Sequence, residues 1–188
     1  LNLTSSQNVW KFFFNSAKYA VLTTVLSLFV CSLAGYAFEI YHDKWKDRLF
    51  TVILMTMMLP FVALMVPLFQ MFSKARLLNS TLGFLLPSLS APLLIMMFRQ
   101  AAKSFPGEII EAARIDGLSE IQIFFRMFVP MMKSTYAAAV TISFMNAWNN
   151  YLWPKVIMTK GSSQTMPMMI SSLTAGYTTD YGMLMLAV

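Results

Sequence analysis

The sequence predicts an all-α, polytopic membrane protein with kinked transmembrane helices, and three observations carry that prediction. Apolar residues make up 57% of the 188 and charged residues only 12%, against about 25% charged in a typical soluble domain. The mean hydropathy is +0.61. Four apolar runs each approach the ~20 residues needed to cross a bilayer as a helix. In lipid every backbone amide must be paired internally, and the runs lack the short alternation of a membrane barrel, so helices are the expected form.

In chain order the runs are Tyr19 to Ile40, Leu49 to Phe72, Leu82 to Phe98 and Thr135 to Trp153, with a fifth beginning near Met183. The second contains Pro60 and Pro67, the third Pro87 and Pro92. Proline removes a helix hydrogen bond and bends the rod, which membrane helices tolerate where neighbours or a cavity re-satisfy the backbone. Bent helices around a pathway and irregular packing without a transport role are both compatible with this pattern. The opening LNLTSSQNVWKFFFNS lacks the basic start, apolar core and small-residue cleavage site of a signal peptide, so membrane insertion is expected from the spans themselves or from one upstream.

Charge then sets orientation. Parity places loops 41–48 and 99–134 on one side, with Lys44, Lys46, Arg48, Arg99, Lys103, Arg114, Arg126 and Lys133; the other side has Lys11, Lys18, Lys74, Arg76, Lys155 and Lys160. The bias puts segment 99–134 in the cytoplasm. The net charge of +6 is therefore membrane-orientation chemistry, and nucleic acid is not an expected partner. Cys31, the one cysteine, lies inside an apolar run, so the chain builds neither a disulfide framework nor a thiolate metal cluster. His42, in YHDKWKDR, has no second ligand nearby and reads as a solvated loop histidine. The 17 methionines are irregularly spaced and suit flexible apolar packing better than copper binding.

Between the third and fourth runs lies EAARIDGLSEIQIFFRMFVP, residues 111–130. Pro106 suits the first turn of a helix, and Glu108 and Glu111 fall near its positive N-terminal end. Gly117 is a natural left-handed stop, and Ser119 with Gln122 forms a capping-box pattern that starts a second helix. That helix is expected to place Ile121, Phe124, Phe125 and Phe128 on one face, with Pro130 ending or bending it. The product is a helix, a turn and an apolar-faced helix too short to span, with Ala112 and Ala113 exposed beside acids as a low-profile surface. From the residues alone, a docking element and a surface loop along the membrane are both open.

Asn146, Asn149 and Asn150 share a helical face at i, i+3, i+4. Amides are costly in hydrocarbon, so this face should meet protein or water. Contact with a solute path and hydrogen bonding to a partner both fit, and Trp148, Tyr151 and Trp153 suit either ring stacking or interfacial anchoring. Residues 159–180, with Gly161, Ser162, Ser163 and Gly176 around an apolar middle at Met166 to Leu173, are expected outside the cytoplasm as a projecting loop, or one folded back on its own surface.

These residues resemble a family pattern. EAARIDG, followed by VP at Pro130 and by WNNYLWP (Trp148 to Pro154), is similar to the membrane-spanning permease subunits of bacterial ABC importers for carbohydrates, most of all the class of the maltose transporter's second permease. NSAKYAVLTT, LAGYAFE (Leu33 to Glu39), LP at Pro60, VP at Pro67 and FFR (Phe124 to Arg126) match in order over essentially all 188 residues. RMFVP stands where I-x-LP is the commoner form.

The resemblance implies a single transmembrane permease domain over 1–188, a fragment lacking the first span and most of the last, in the bacterial cytoplasmic membrane. It implies that 99–134 is a cytoplasmic coupling loop whose Glu111, Ala112, Ala113, Asp116 and Gly117 seat in a separate ATPase subunit. Partners would be an ATPase dimer, a second permease and an extracytoplasmic solute-binding protein, with a sugar as substrate and Asn146, Trp148, Asn149 and Asn150 facing the substrate path or the second permease. The 159–180 loop would meet the binding protein. ATP and Mg would be held by the ATPase, since this chain has no GxxxxGK[ST] phosphate cradle and needs no cofactor of its own. Rival readings are a permease for amino acids, peptides or glycerol-phosphate, a scaffold without transport, and a membrane enzyme. Against the last, no run has a Ser/His, Asp/Asp or His/Glu constellation.

Overall fold

The computed structural model describes residues 3–41 and 43–174, with side chains described over 9–41 and 43–173. Among these residues the chain is all-α. Its helices are α1 (Leu3–Ile40), α2 (Lys44–Met55), α3 (Phe61–Lys74), α4 (Thr81–Leu85), α5 (Pro92–Ala102), α6 (Gly107–Ile115), α7 (Glu120–Ile123), α8 (Val129–Met131), α9 (Lys133–Trp148), α10 (Leu152–Ile157) and α11 (Met166–Thr174). His42 and the expected start of a fifth span at Met183 lie outside the described residues.

The first expected span is one continuous helix, and its stretch Val9–Ile40, 32 residues, is long and apolar enough to cross a membrane. The other three are interrupted, each at a place local chemistry explains. Leu59 is extended (φ −81°, ψ 122°), as the residue before a proline prefers, so the second run breaks between α2 and α3. Ala91 (φ −78°, ψ 113°) does the same before Pro92, which opens α5 at its first helical position. Counting each interrupted pair as one span brings the total to three among the described residues. The fourth run is helical only to Trp148. Asn149 turns its side-chain amide back onto the Met145 carbonyl at 3.0 Å, and Pro154 sits in the first turn of a new helix, α10.

The chain divides into two compact units. The unit of Val25–Pro60 and Leu89–Ser143 has a core in which Ile123, Phe124 and Phe128 pack with Tyr36, Ala102, Phe105, Ile110 and Ala113. Here α1 and α5 approach at Gly35, where a Cβ would stand 2.6 Å from that of Phe98 and 2.7 Å from the Arg99 nitrogen. Glycine permits the contact, a small-residue device of membrane helix packing. Arg99, its side chain 12% exposed, bonds Glu39 at 3.1 Å and Asp47 at 2.6 Å and lies 4.3 Å from the Phe50 ring centroid. One guanidinium thereby joins α1, α2 and α5.

In the other unit, Phe61–Ser88 packs with the chain before Val25 and after Ser143. Trp153 is 1% exposed, sits edge-on to Phe61 and Phe72 and donates its indole N–H to the Gly83 carbonyl at 2.9 Å. Asn79, at φ 56°, accepts from the Lys160 amide at 2.9 Å and donates to the Thr159 hydroxyl at 3.0 Å. Asn15 donates to the carbonyls of Ser162 and Gln164, each at 2.9 Å. The described part of the 159–180 segment does not project. It folds back, with Met166 and Met169 buried against Val9 and Phe12; Gly176 lies outside the described residues.

Candidate functional site

The segment 106–130 is built by three local devices that cap its helices. Pro106 is the residue before the first helical one, rather than within the first turn as expected. Gly117 adopts φ +79°, and the Leu118 amide reaches the Ala113 carbonyl while the Gly117 amide reaches that of Arg114, both at 3.0 Å. This is a Schellman closure, which satisfies the last carbonyls of α6. Ser119 and Gln122 then form the capping box, with the Ser119 amide donating to Gln122 Oε1 at 2.9 Å and both reciprocal contacts present.

The turn divides α6 into an inward and an outward face. Glu111, Ala112, Asp116 and Gly117 are exposed as expected, but Ala113 is buried at 3% and belongs to the core. Alanine is small enough for α6 to lie close on the aromatic cluster. In its place the outward face carries Ile115, 86% exposed, which the sequence reading passed over. Its spacing from Glu108, Glu111 and Ala112 is the signal that locates it: i, i+3, i+4, i+7 on one helix face.

The second helix departs from the expected apolar face. After α7 the backbone enters a π-helical turn, Phe124–Phe128, with the Val129 amide bonded to the Phe124 carbonyl. The wider i→i+5 turn rotates the face. Ile123, Phe124 and Phe128 are buried, while Ile121 and Phe125 are 70% and 50% exposed. Pro130, two residues past the turn's end, has no N–H to return to Arg126, consistent with a ladder already out of α register.

Glu120 ties this segment to the end of α1. Its Oε1 accepts from Arg114 Nε at 2.8 Å and its Oε2 from the Tyr41 hydroxyl at 2.6 Å. Arg114 first, then Tyr41, holds the Glu120 carboxyl below its ordinary range. Burial, and then the bond to Glu120, pushes the Tyr41 phenol up to about 12. Lys46 bonds the Tyr41 carbonyl at 2.8 Å and lies 5.0 Å from its ring centroid. Loop 41–48 and segment 99–134 thus meet.

The asparagines also converge. Asn146, Asn149 and Asn150 line a cleft of about 630 Å³ with Phe61, Ser88, Tyr151 and Trp153, and its described lining holds no charged side chain. Trp148 turns elsewhere, against Phe13 and Phe144, on a second apolar cleft of about 490 Å³ that Asn149 also borders. Trp153 is spent on the core and on Gly83, so of the three aromatics Tyr151 is the one left partly open beside the amides.

A family model described as binding-protein-dependent transport system inner membrane component matches residues 27–188. The chain is 48% identical over 174 residues, 93% of its length, to the lactose transport system permease protein LacG of Rhizobium radiobacter, of which it covers 64%. It is 37% identical over 175 residues, also 93%, to the arabinooligosaccharides transport system permease protein AraQ of Bacillus subtilis, covering 62% of it. With the sn-glycerol-3-phosphate transport system permease protein UgpE of Pectobacterium atrosepticum it shares 33% over 161 residues, 86% of this chain and 57% of that one. The chain spans less than two thirds of the length of these curated relatives. A solved bacterial ABC transporter involved in the import of the acidic polysaccharide alginate shares the fold, with a TM-score of 0.82 at 22% identity, over 99% of this chain and 69% of that one.

Proposed function

The chain belongs to the family of binding-protein-dependent transport system inner membrane components, and from that premise we propose that it is a multi-pass permease subunit of a bacterial sugar importer. It works with a second permease and an extracytoplasmic sugar-binding protein, and is driven by a separate ATPase dimer that holds the ATP and Mg. The chain itself is a transport subunit and not an enzyme. The observation that carries the coupling role is the outward face of α6, where Glu111, Ala112, Ile115 and Asp116 stand exposed on a helix closed at Gly117. An acid, a small residue and a large apolar side chain on one short rigid face suit a protein cleft far better than water.

A neutral, hydroxyl-rich solute is favoured by the cleft at Asn146, Asn149 and Asn150, whose amides and neighbouring Tyr151 both donate and accept. Its relatives named for lactose and arabino-oligosaccharides point the same way. Glycerol-phosphate is the second reading, favoured by the UgpE relatives, but a phosphate ester calls for Arg or Lys in the path. Affinity purification of the full-length protein from its host membrane tests both statements. Co-purification of an ATPase and of a solute-binding protein whose bound ligand is a sugar is the expected result. Absence of any ATPase removes the coupling role, and a phosphorylated ligand removes the sugar.

A further inference from the structure

We propose, resting on that coupling role, that the Tyr41 hydroxyl and the Glu120 carboxylate form the strut through which the coupling segment moves α1. Glu120 stands directly after the Gly117 turn, and its two oxygens are divided between the two bodies to be joined. One takes Arg114 at 2.8 Å, on the coupling helix α6 itself. The other takes Tyr41 at 2.6 Å, in the residue that follows the last turn of α1. An O–H to carboxylate bond of that length is in the strong, charge-assisted class. The residues are 79 apart in the chain, so the contact belongs to the folded arrangement and not to local backbone geometry.

The two ends of the strut are themselves fixed. Tyr41 is held by Lys46 on its carbonyl and ring face and meets Tyr36 edge-on at 6.4 Å. Glu120 opens α7 behind the capping box. A displacement imposed on α6 by a partner therefore reaches α1 through a short path of stiff groups, while apolar packing between these parts, such as Tyr36 on Phe124 and Phe128 and Phe29 on Phe125, slides more readily than a directed bond. Tyr36 supplies an internal control: its hydroxyl is buried and makes no hydrogen bond to protein, so removing it leaves the strut whole.

Nitroxide labels test this in the full-length protein assembled with its ATPase, with Cys31→Ser as background. Labels replace Gly107, at the start of α6, where a Cβ would meet nothing within 4 Å, and Val30, exposed on α1, and their separation is compared between nucleotide-free and ATP–vanadate-trapped complexes. The expected separation is the same in both states for the parent, for Tyr36→Phe and for Glu120→Gln, which keeps an acceptor for Tyr41. Tyr41→Phe and Glu120→Ala should shift or broaden it on trapping by about 2 Å or more, the scale of helix shifts in such transitions. An unchanged separation in Tyr41→Phe overturns the strut, as does a separation that already changes in the parent. Loss of ATPase binding in both Tyr41→Phe and Glu120→Ala also overturns it, because the bond would then hold the fold rather than carry motion. A parent that binds no ATPase fails the coupling role itself, and that failure is visible before any distance is measured.

Discussion

Gly35 on α1 lies so close to Phe98 on α5 that a Cβ placed on it would be 2.6 Å from the phenylalanine Cβ. The nearest atoms are backbone and Cβ, not the end of a flexible side chain, so the helices must separate to admit even a methyl group. Gly35→Ala is expected to cost about 1–3 kcal/mol by overpacking. The measurement is thermal unfolding in detergent, and a variant as stable as the parent would contradict the close approach.

Trp153→Phe isolates one hydrogen bond. The aromatic ring stays between Phe61 and Phe72, but the Gly83 carbonyl loses its partner at a buried position. The expected destabilisation is about 1–3 kcal/mol, the cost of a buried acceptor left unpaired. Tyr151→Phe, on a half-buried residue bonded to Ser171 at 3.0 Å, should lower stability less in the same assay.

The pair Tyr41–Glu120 defines a pH window. Glu120 is held below its ordinary carboxylate value of 4.5, so it binds more protons when unfolded, and its contribution is complete above that value and lost as pH falls through the folded pKa. Tyr41 is pushed from 10.0 up to about 12, so its contribution is complete below 10 and declines as pH rises towards 12. Stability in detergent should show both limbs, and Tyr41→Phe should flatten the alkaline one. An alkaline limb of equal size in Tyr41→Phe would assign it to other groups.

The parts of this architecture that follow from short-range chemistry were legible in the residues. Gly117 as a left-handed stop and Ser119 with Gln122 as a capping box need only three or four neighbours, and both occur as expected. The first span was legible because nothing interrupts its apolar run. Prolines signalled bends in the second and third runs, but not that Leu59 and Ala91 would leave the helix altogether. The apolar face at Ile121 and Phe125 was misplaced because α periodicity was carried through a stretch that winds as a π turn. Ala113 read as surface because size alone cannot tell a tight core contact from an exposed one. The Tyr41–Glu120 bond spans 79 residues, and no local pattern announces it.

The cleft at the asparagines predicts accessibility. Asn149 is exposed and borders two clefts, of about 630 and 490 Å³, so Asn149→Cys should react with a water-soluble thiol reagent or cross-link to the second permease. Cys31 is 0% exposed and provides a silent background. Labelling by a lipid-dissolved probe alone would place this face in the bilayer, at a cost in unpaired amides that the sequence gives no means to offset.

The outward face of α6 predicts a separation between docking and folding. Ile115 is 86% exposed, whereas Ala113 two residues earlier is 3% exposed within the core. Ile115→Lys places a charge where a partner cleft would bury the side chain, yet on the isolated subunit it changes only solvent-exposed surface, where substitutions usually stay within about 0.5 kcal/mol. It should insert and melt as the parent does while losing most of its ATPase in pull-down, and Glu111→Lys on the same face should behave alike. Ala113→Lys should instead fail in stability, because an unpaired ammonium enters the aromatic core. Gly117→Ala lies between: a Cβ there meets nothing within 4 Å, so only the left-handed backbone opposes it, at about 1–2 kcal/mol. Ile115→Lys that retains the ATPase at parental levels would move the docking surface off this face of α6.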